Sequence, residues 1–333
     1  MARRSFLATL AAAPALLTGC AREESKWDRA AYRKPERSRV LIARAENYPA
    51  GLADLVRHAV RHFGLEIVGK RIVLKPNLVE FDPSSVINTH PALIGAAIDA
   101  FRSLGAREVI VAEGPGHRRD NEYLMTASGL SEVLRQHKTR YVDLNSDDVQ
   151  FLRTSSRFTA LNRLALPRTV LHADLLVSMP KLKTHHWAGV TLSLKNLFGI
   201  IPGSVYGWPK NVLHWAGLNE SIVDIQSTVP VRQFVIVDGI VGMEGNGPIQ
   251  GDAKRAGVVL FGDDPVATDA TAARVMNIEP SRVRYLSMAD QFLGNVTLER
   301  IEQIGETLER VQQQFRLIDA FKNLAATART GAS

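Results

Sequence analysis

A chain of 333 residues that is 45% hydrophobic and 23% charged can bury a full core, either as one large unit or as two of ordinary size. Its formal net charge of +7 is scattered, with no basic stripe interleaved with aromatics, which argues against a nucleic-acid partner and leaves small anionic molecules open. The single cysteine, Cys20, excludes an internal disulfide and a thiolate cluster.

The first element is a leader. Arg3 and Arg4 precede Phe6 and Leu7, and an apolar run of about a dozen residues, too short to span a bilayer, ends in Leu17-Thr18-Gly19-Cys20. The arginine pair resembles a twin-arginine export signal, and Leu-Thr-Gly-Cys resembles a lipobox, whose cysteine is acylated. Residues 1–20 are therefore expected to be a signal peptide, with Cys20 as the lipidation site and lipid anchor of an exported protein in the periplasm or at the cell surface. Residues 21–39, charged and poor in branched apolar side chains, read as a tether, and folding is expected to begin near Val40.

From there strands and helices alternate. Residues 40–45 form a short apolar run, and 52–63 has helical periodicity with Leu52, Leu55, Val56, Ala59 and Phe63 on one face. Residues 71–76 read as a buried strand, 91–104 as a helix with Pro91 in its first turn and Gly105 after its end, and 108–112 as the next strand. This order predicts parallel pairing through right-handed crossovers, hence an α/β fold: an open, mainly parallel sheet with helices on both faces. The domain is expected over 40–316, either undivided or as lobes 40–150 and 172–300, with 317–333 as a C-terminal helix and tail. Ligands of such sheets sit beyond the carboxyl ends of the strands. Lys75-Pro76-Asn77 falls at one such end and supplies a cation; Gly114 to Asp120 falls at another and supplies glycines with His117, Arg118 and Arg119.

Farther on, 121–136 reads as a helix and 140–144 as a strand, while 145–171 resists assignment. Residues 174–179 form a strand, Pro180 to His185 lies at its carboxyl end, and helices are expected at 187–199 and 212–227. A strand at 232–238 leads into 239–251, whose five glycines in thirteen residues suggest a loop shaped for turns or for a ligand. After a strand at 258–261, Asp263, Asp264 and Pro265 cap a helix over 266–276, on which Asp269 reads first as part of a solvated face and second as a functional carboxylate. Residues 317–329 suggest an amphipathic helix covering a sheet edge.

The stretch from Thr184 to His214 carries the chemistry. Lys195 sits in LSLKNLFGII, where a lysine needs a reason to be, and His185 and His214 flank it. KPNLV, GAREVIVAEGPG, SMPKLKTH, GVTLSLKNLFGIIPG, VDGIVGMEGNGP and GDDPVATDA, in this order, resemble the domain-of-unknown-function family numbered 362. Many members carry an appended ferredoxin-like cysteine cluster; this chain has none, so no iron–sulfur cluster is expected.

More distantly, HHWAGVTLSLKNLFGIIPG is similar to a segment of lactate racemase-like enzymes, in which a lysine is joined to a nickel-pincer nucleotide. That resemblance implies His185 and His117 as catalytic histidines, Lys195 as the cofactor lysine, His214 as the nickel ligand and Lys75 as the grip on a substrate carboxylate, while Arg118, at the end of the next strand, is a second anion-binding candidate from its position alone. Leu192-Ser193-Leu194 stands where those enzymes have a glycine pair. The implied chemistry is racemisation or a related oxidoreduction of a small hydroxy-carboxylate, the histidines moving the hydroxyl proton and the cofactor taking the hydride. Two other readings stay open at this point: a non-catalytic lipoprotein that binds an anionic ligand or a metal, and an accessory factor for a partner enzyme.

Overall fold

The apolar runs of the central strands are continuous rather than alternating, because the sheet they enter is covered on both faces. The computed structural model describes residues 25–28, 30–116 and 120–326. Its strands are β1 (Ser38–Arg44), β2 (Arg71–Pro76), β3 (Glu108–Glu113), β4 (Tyr141–Asp143), β5 (Val149–Arg153), β6 (Arg163–Pro167), β7 (Leu175–Met179), β8 (Lys181–His185), β9 (Gly189–Thr191), β10 (Gln233–Asn246), β11 (Gln250–Lys254), β12 (Val258–Gly262) and β13 (Ile301–Gly305).

Eight of these run in the order β13-β1-β12-β10-β7-β2-β3-β4. The half from β10 to β4 is parallel throughout, and β1 and β13 are parallel to each other; β12 is antiparallel to both of its neighbours. Strands of residues 40–150 and of 172–300 thus hydrogen-bond into one sheet, so the candidate boundary between lobes does not separate two sheets. Along β2, Ile72 and Leu74 face one side and Val73 the other. The first side is covered by helices Leu52–His62, Pro91–Ser103 and Leu130–Gln136, the second by Leu218–Thr228, Pro265–Val275 and Arg284–Ala289. No helix among the described residues is long and apolar enough to cross a membrane.

Several expectations are corrected. Residues 239–251 are not a loop: β10 continues to Asn246 and turns into β11, and β8 and β9 extend the sheet from its side. Residues 181–185 are therefore a strand, and 187–199 is a turn, then β9, then the short helix Ser193–Asn196 and a 3-10 turn Leu197–Ile200. The helices expected at 121–136 and 212–227 are each broken by a glycine in the left-handed region, Gly129 at φ +79° and Gly217 at φ +107°. Residues 145–171 contain the β5–β6 hairpin. Asp319–Leu324 is a 3-10 helix where the amphipathic helix was expected.

The tether also shortens. Trp27 bridges to Ser156 and stacks on Phe292 at 4.6 Å, while Tyr32 donates its hydroxyl to the Ser227 carbonyl at 2.9 Å. The chain is docked on the domain well before Val40 because these aromatics find an apolar seat. Arg3, Arg4, Cys20, His117, Arg118 and Arg119 lie outside the described residues.

Candidate functional site

Beyond the carboxyl ends of β2 and β3, and against β8, lies a cavity of about 370 Å³, the size range of small-molecule sites. Of the sequence-derived candidates, Lys75, His185, Lys195 and His214 all line it.

Lys75, at the end of β2, is fully buried and directs its ammonium to three acceptors: Glu113 Oε2 at 2.5 Å, the Pro76 carbonyl at 2.9 Å and Asn196 Oδ1 at 3.1 Å. An ammonium has three donors, so Lys75 has none left for a ligand. Burial pulls its pKa below the usual lysine value, against the Glu113 carboxylate. Glu113, at the end of β3, also accepts from the Leu78 and Gly114 backbone N–H groups. Gly199 packs directly against this pair; a Cβ there would lie 2.6 Å from Lys75 Nζ. The pair therefore works as a neutral internal pillar, and Lys75 does not provide the anion grip expected of it.

Three other lysines line the cavity: among the described residues Lys195 has its donors open, Lys183 has one of three open and Lys210 has none. Lys195, half-buried on the helix Ser193–Asn196, holds its Nζ 4.3 Å from the Phe198 ring centroid and has no hydrogen-bond acceptor among the described residues. Burial, aided by the charge of Lys75, lowers its pKa to about 8. Lys210 is buried with its Nζ on the Gly114, Phe198 and Gly199 carbonyls, and burial lowers it to about 7. Lys183, in β8, donates to the Ile87 and Pro248 carbonyls; burial first, then the charges of Lys181 and Lys195, hold it well below the ordinary value. Lys183 and Lys210 were not picked out from sequence, although each follows an apolar or proline-bounded segment.

The turn carrying Lys195 is pinned from below. Asp269, on the helix Pro265–Val275, is fully buried and accepts from the Ser193 and Leu194 N–H groups at 2.7 and 2.9 Å. It is no solvated carboxylate; burial raises its pKa to about 8. The missed signal is the run Ala267-Thr268-Asp269-Ala270-Thr271-Ala272-Ala273, whose small side chains let the helix approach closely.

The histidines divide by tautomer. His185 Nδ1 accepts from the Trp187 and Ala188 N–H groups at 3.0 and 3.2 Å, so the neutral ring carries its proton on Nε2. Burial, and then Lys195, keep its pKa well below the ordinary value. His186 and His214 have the opposite arrangement, Nδ1–H facing the Gly247 carbonyl at 2.7 Å and the Lys210 carbonyl at 3.1 Å. Each neutral ring then offers an Nε2 lone pair. Burial and Lys195 lower the pKa of His214, opposed by the Lys210 carbonyl. Among the described residues, no group of three or more His, Cys, Asp or Glu side chains could hold a metal ion.

Residues 72–274, more than half of the chain, match the family described as "Domain of unknown function (DUF362)". The chain belongs to this family. A thylakoid-associated protein of Synechocystis sp. (strain ATCC 27184 / PCC 6803 / Kazusa) is 25% identical over 278 residues, covering 78% of this chain and 80% of its own. Among solved structures, the lactate racemase apoprotein from Thermoanaerobacterium thermosaccharolyticum is similar at 17% identity and a TM-score of 0.42, with 67% of this chain and 56% of that one covered. A Thermotoga maritima protein is similar at 13% identity and a TM-score of 0.35, covering 64% and 55%. The chain thus spans little more than half the length of either solved protein.

Proposed function

We propose that the cavity binds a small molecule bearing carboxylate or phosphate, and that the protein acts on hydroxy-carboxylates with a nucleotide cofactor held at Lys195. The supporting observation is the charge balance of the lining: four lysines, Lys75, Lys183, Lys195 and Lys210, against one carboxylate, Glu113, already spent on Lys75. Burial disfavours the charged forms of Lys183, Lys195 and Lys210, and an anion in the cavity would favour them again.

The residues fit a nickel-pincer nucleotide in three respects. Lys195 has an amine without an acceptor among the described residues, at a pKa that leaves part of it nucleophilic near neutrality. Its upstream neighbours Leu192, Ser193 and Leu194 are buried and do not line the cavity, so their bulk leaves room beside the lysine. His214 offers an imidazole lone pair of fixed tautomer, a soft-enough ligand for nickel. When bound, such a cofactor supplies the hydride acceptor that racemisation of a 2-hydroxy acid requires. The chain's own part is to hold the substrate anion and to move the hydroxyl proton.

Protein purified from a host that matures pincer cofactors is expected to carry an adduct on the tryptic peptide containing Lys195, with about one nickel per chain. Lys195→Ala should lose both. Calorimetric titration with lactate and with inorganic phosphate completes the test. An unmodified chain that still binds either anion reduces the function to anion binding, and an unmodified chain that binds neither overturns the proposal.

We further propose that the protein is exported and anchored through Cys20, a reading supported by Arg3-Arg4 and by Leu17-Thr18-Gly19-Cys20. Cys20→Ser should release the protein from membranes in cell fractionation; an unchanged membrane fraction would refute the anchor.

A further inference from the structure

The two adjacent histidines at the cavity face opposite demands from the backbone. His185 ends β8, where the chain turns tightly through Trp187 and Ala188 toward β9, and the two backbone N–H groups of that turn converge on its Nδ1. A ring nitrogen that receives two donors has no place for a proton of its own. The neutral ring already carries its hydrogen on Nε2, so the imidazolium could form only by adding a proton at Nδ1, where it would meet the two N–H groups head-on. His185 therefore stays neutral and presents Nε2–H as a donor.

His186 is held the other way. Its backbone N–H and its Nδ1–H both go to the Gly247 carbonyl, at 2.9 and 2.7 Å. A carbonyl on Nδ1–H is the partner that stabilises an imidazolium, and it leaves the Nε2 lone pair available. The two rings lie 5.1 Å apart, centroid to centroid, and both line the cavity. His186 is only half-buried, so a ligand reaches it.

We propose that His186 is the proton acceptor of this cavity and that His185 is a permanently neutral hydrogen-bond donor to the oxygen that loses the proton. The inference rests on the hydroxy-carboxylate reading. In the step itself the ligand O–H bond breaks, its proton forms a bond with His186 Nε2, and the electron pair stays on the ligand oxygen. That alkoxide accepts from His185 Nε2–H, a donor of the oxyanion-hole kind. The imidazolium formed on His186 is charge-balanced through the bound anion and its Nδ1–H···O=C contact with Gly247. No oxidant or reductant enters this step. The assignment moves the base from His185, where family resemblance put it, to its neighbour.

The test is spectroscopic and chemical. In protein labelled with ¹⁵N-histidine, two-bond ¹H–¹⁵N correlations at pH 7.5 should show His185 as the Nε2–H tautomer and His186 as the Nδ1–H tautomer, each assigned by loss of its signals in His185→Gln or His186→Gln. Diethyl pyrocarbonate, which attacks an unprotonated ring nitrogen, should modify His186 at least about tenfold faster than His185, read by fragmentation of the peptide 184–195. Saturating lactate should protect His186. Reversed tautomers, equal modification of the two rings, or no protection by lactate that is shown to bind would each overturn the assignment. Absence of lactate binding would instead remove the hydroxy-carboxylate reading and leave the tautomers standing, so the two failures are told apart.

Discussion

Glu113→Leu is expected to destabilise the protein by about 3–5 kcal/mol, the usual cost of leaving a buried charge without its partner. The Lys75 ammonium would stay at zero exposure with two neutral acceptors, and the Leu78 and Gly114 N–H groups would lose theirs. Lys75→Met should cost less, because Glu113 would keep its two backbone donors. Urea unfolding at pH 7 measures both. A loss below about 1 kcal/mol for Glu113→Leu, the scale of an exposed pair, would show that the two side chains do not meet as described.

Asp269→Leu should have the second largest effect. Two buried N–H groups, of Ser193 and Leu194, would lose their acceptor at about 1–3 kcal/mol each. The turn that presents Lys195 would loosen, so adduct formation at Lys195 should fall as well. The pH dependence gives a second reading. Folding raises the pKa of Asp269 from 3.8 to about 8, so the folded state holds this proton where the unfolded chain has released it. Its contribution is fully present below pH 3.8 and is lost as pH rises toward 8. Unfolding free energies of wild type and Asp269→Asn, compared from pH 5 to pH 8, should therefore converge or cross as wild type loses this term. A difference that stays flat across that window would place the carboxyl in a wetter environment than the structure does.

The parallel half of the sheet was legible because its strands carry the plainest signals. Ile72-Val73-Leu74, Val109 to Ala112 and Leu175 to Val177 are apolar runs bounded by helices with clear periodicity, as in Leu52–His62. The cavity wall was harder to read, since β8 is Lys-Leu-Lys-Thr-His and looks like a charged loop. Its lysines are buried because they reach carbonyl oxygens and Asp238, which are contacts across the fold that local pattern does not encode. Lys195, His185, His214 and Lys75 were found from their setting, but the role of Lys75 was not, because its partner Glu113 lies 38 residues away. His186 escaped notice for a related reason: what distinguishes it from His185 is one carbonyl, Gly247, on a distant turn.

The long strand β10 leaves the core between β7 and β12 and goes on to back the cavity through β8. At Gly242 an added Cβ would lie 2.5 Å from the Leu182 carbonyl, and at Gly247 it would lie 2.0 Å from that of Thr184. These glycines act as spacers of zero thickness: any side chain there would wedge β8 off its neighbour and tilt Lys183, His185 and His186 together. The shape of the binding chamber is thus set from behind, by positions outside the cavity lining, and attempts to re-tune its selectivity should leave those glycines untouched and vary Leu78 and Val79, which line the cavity just after β2.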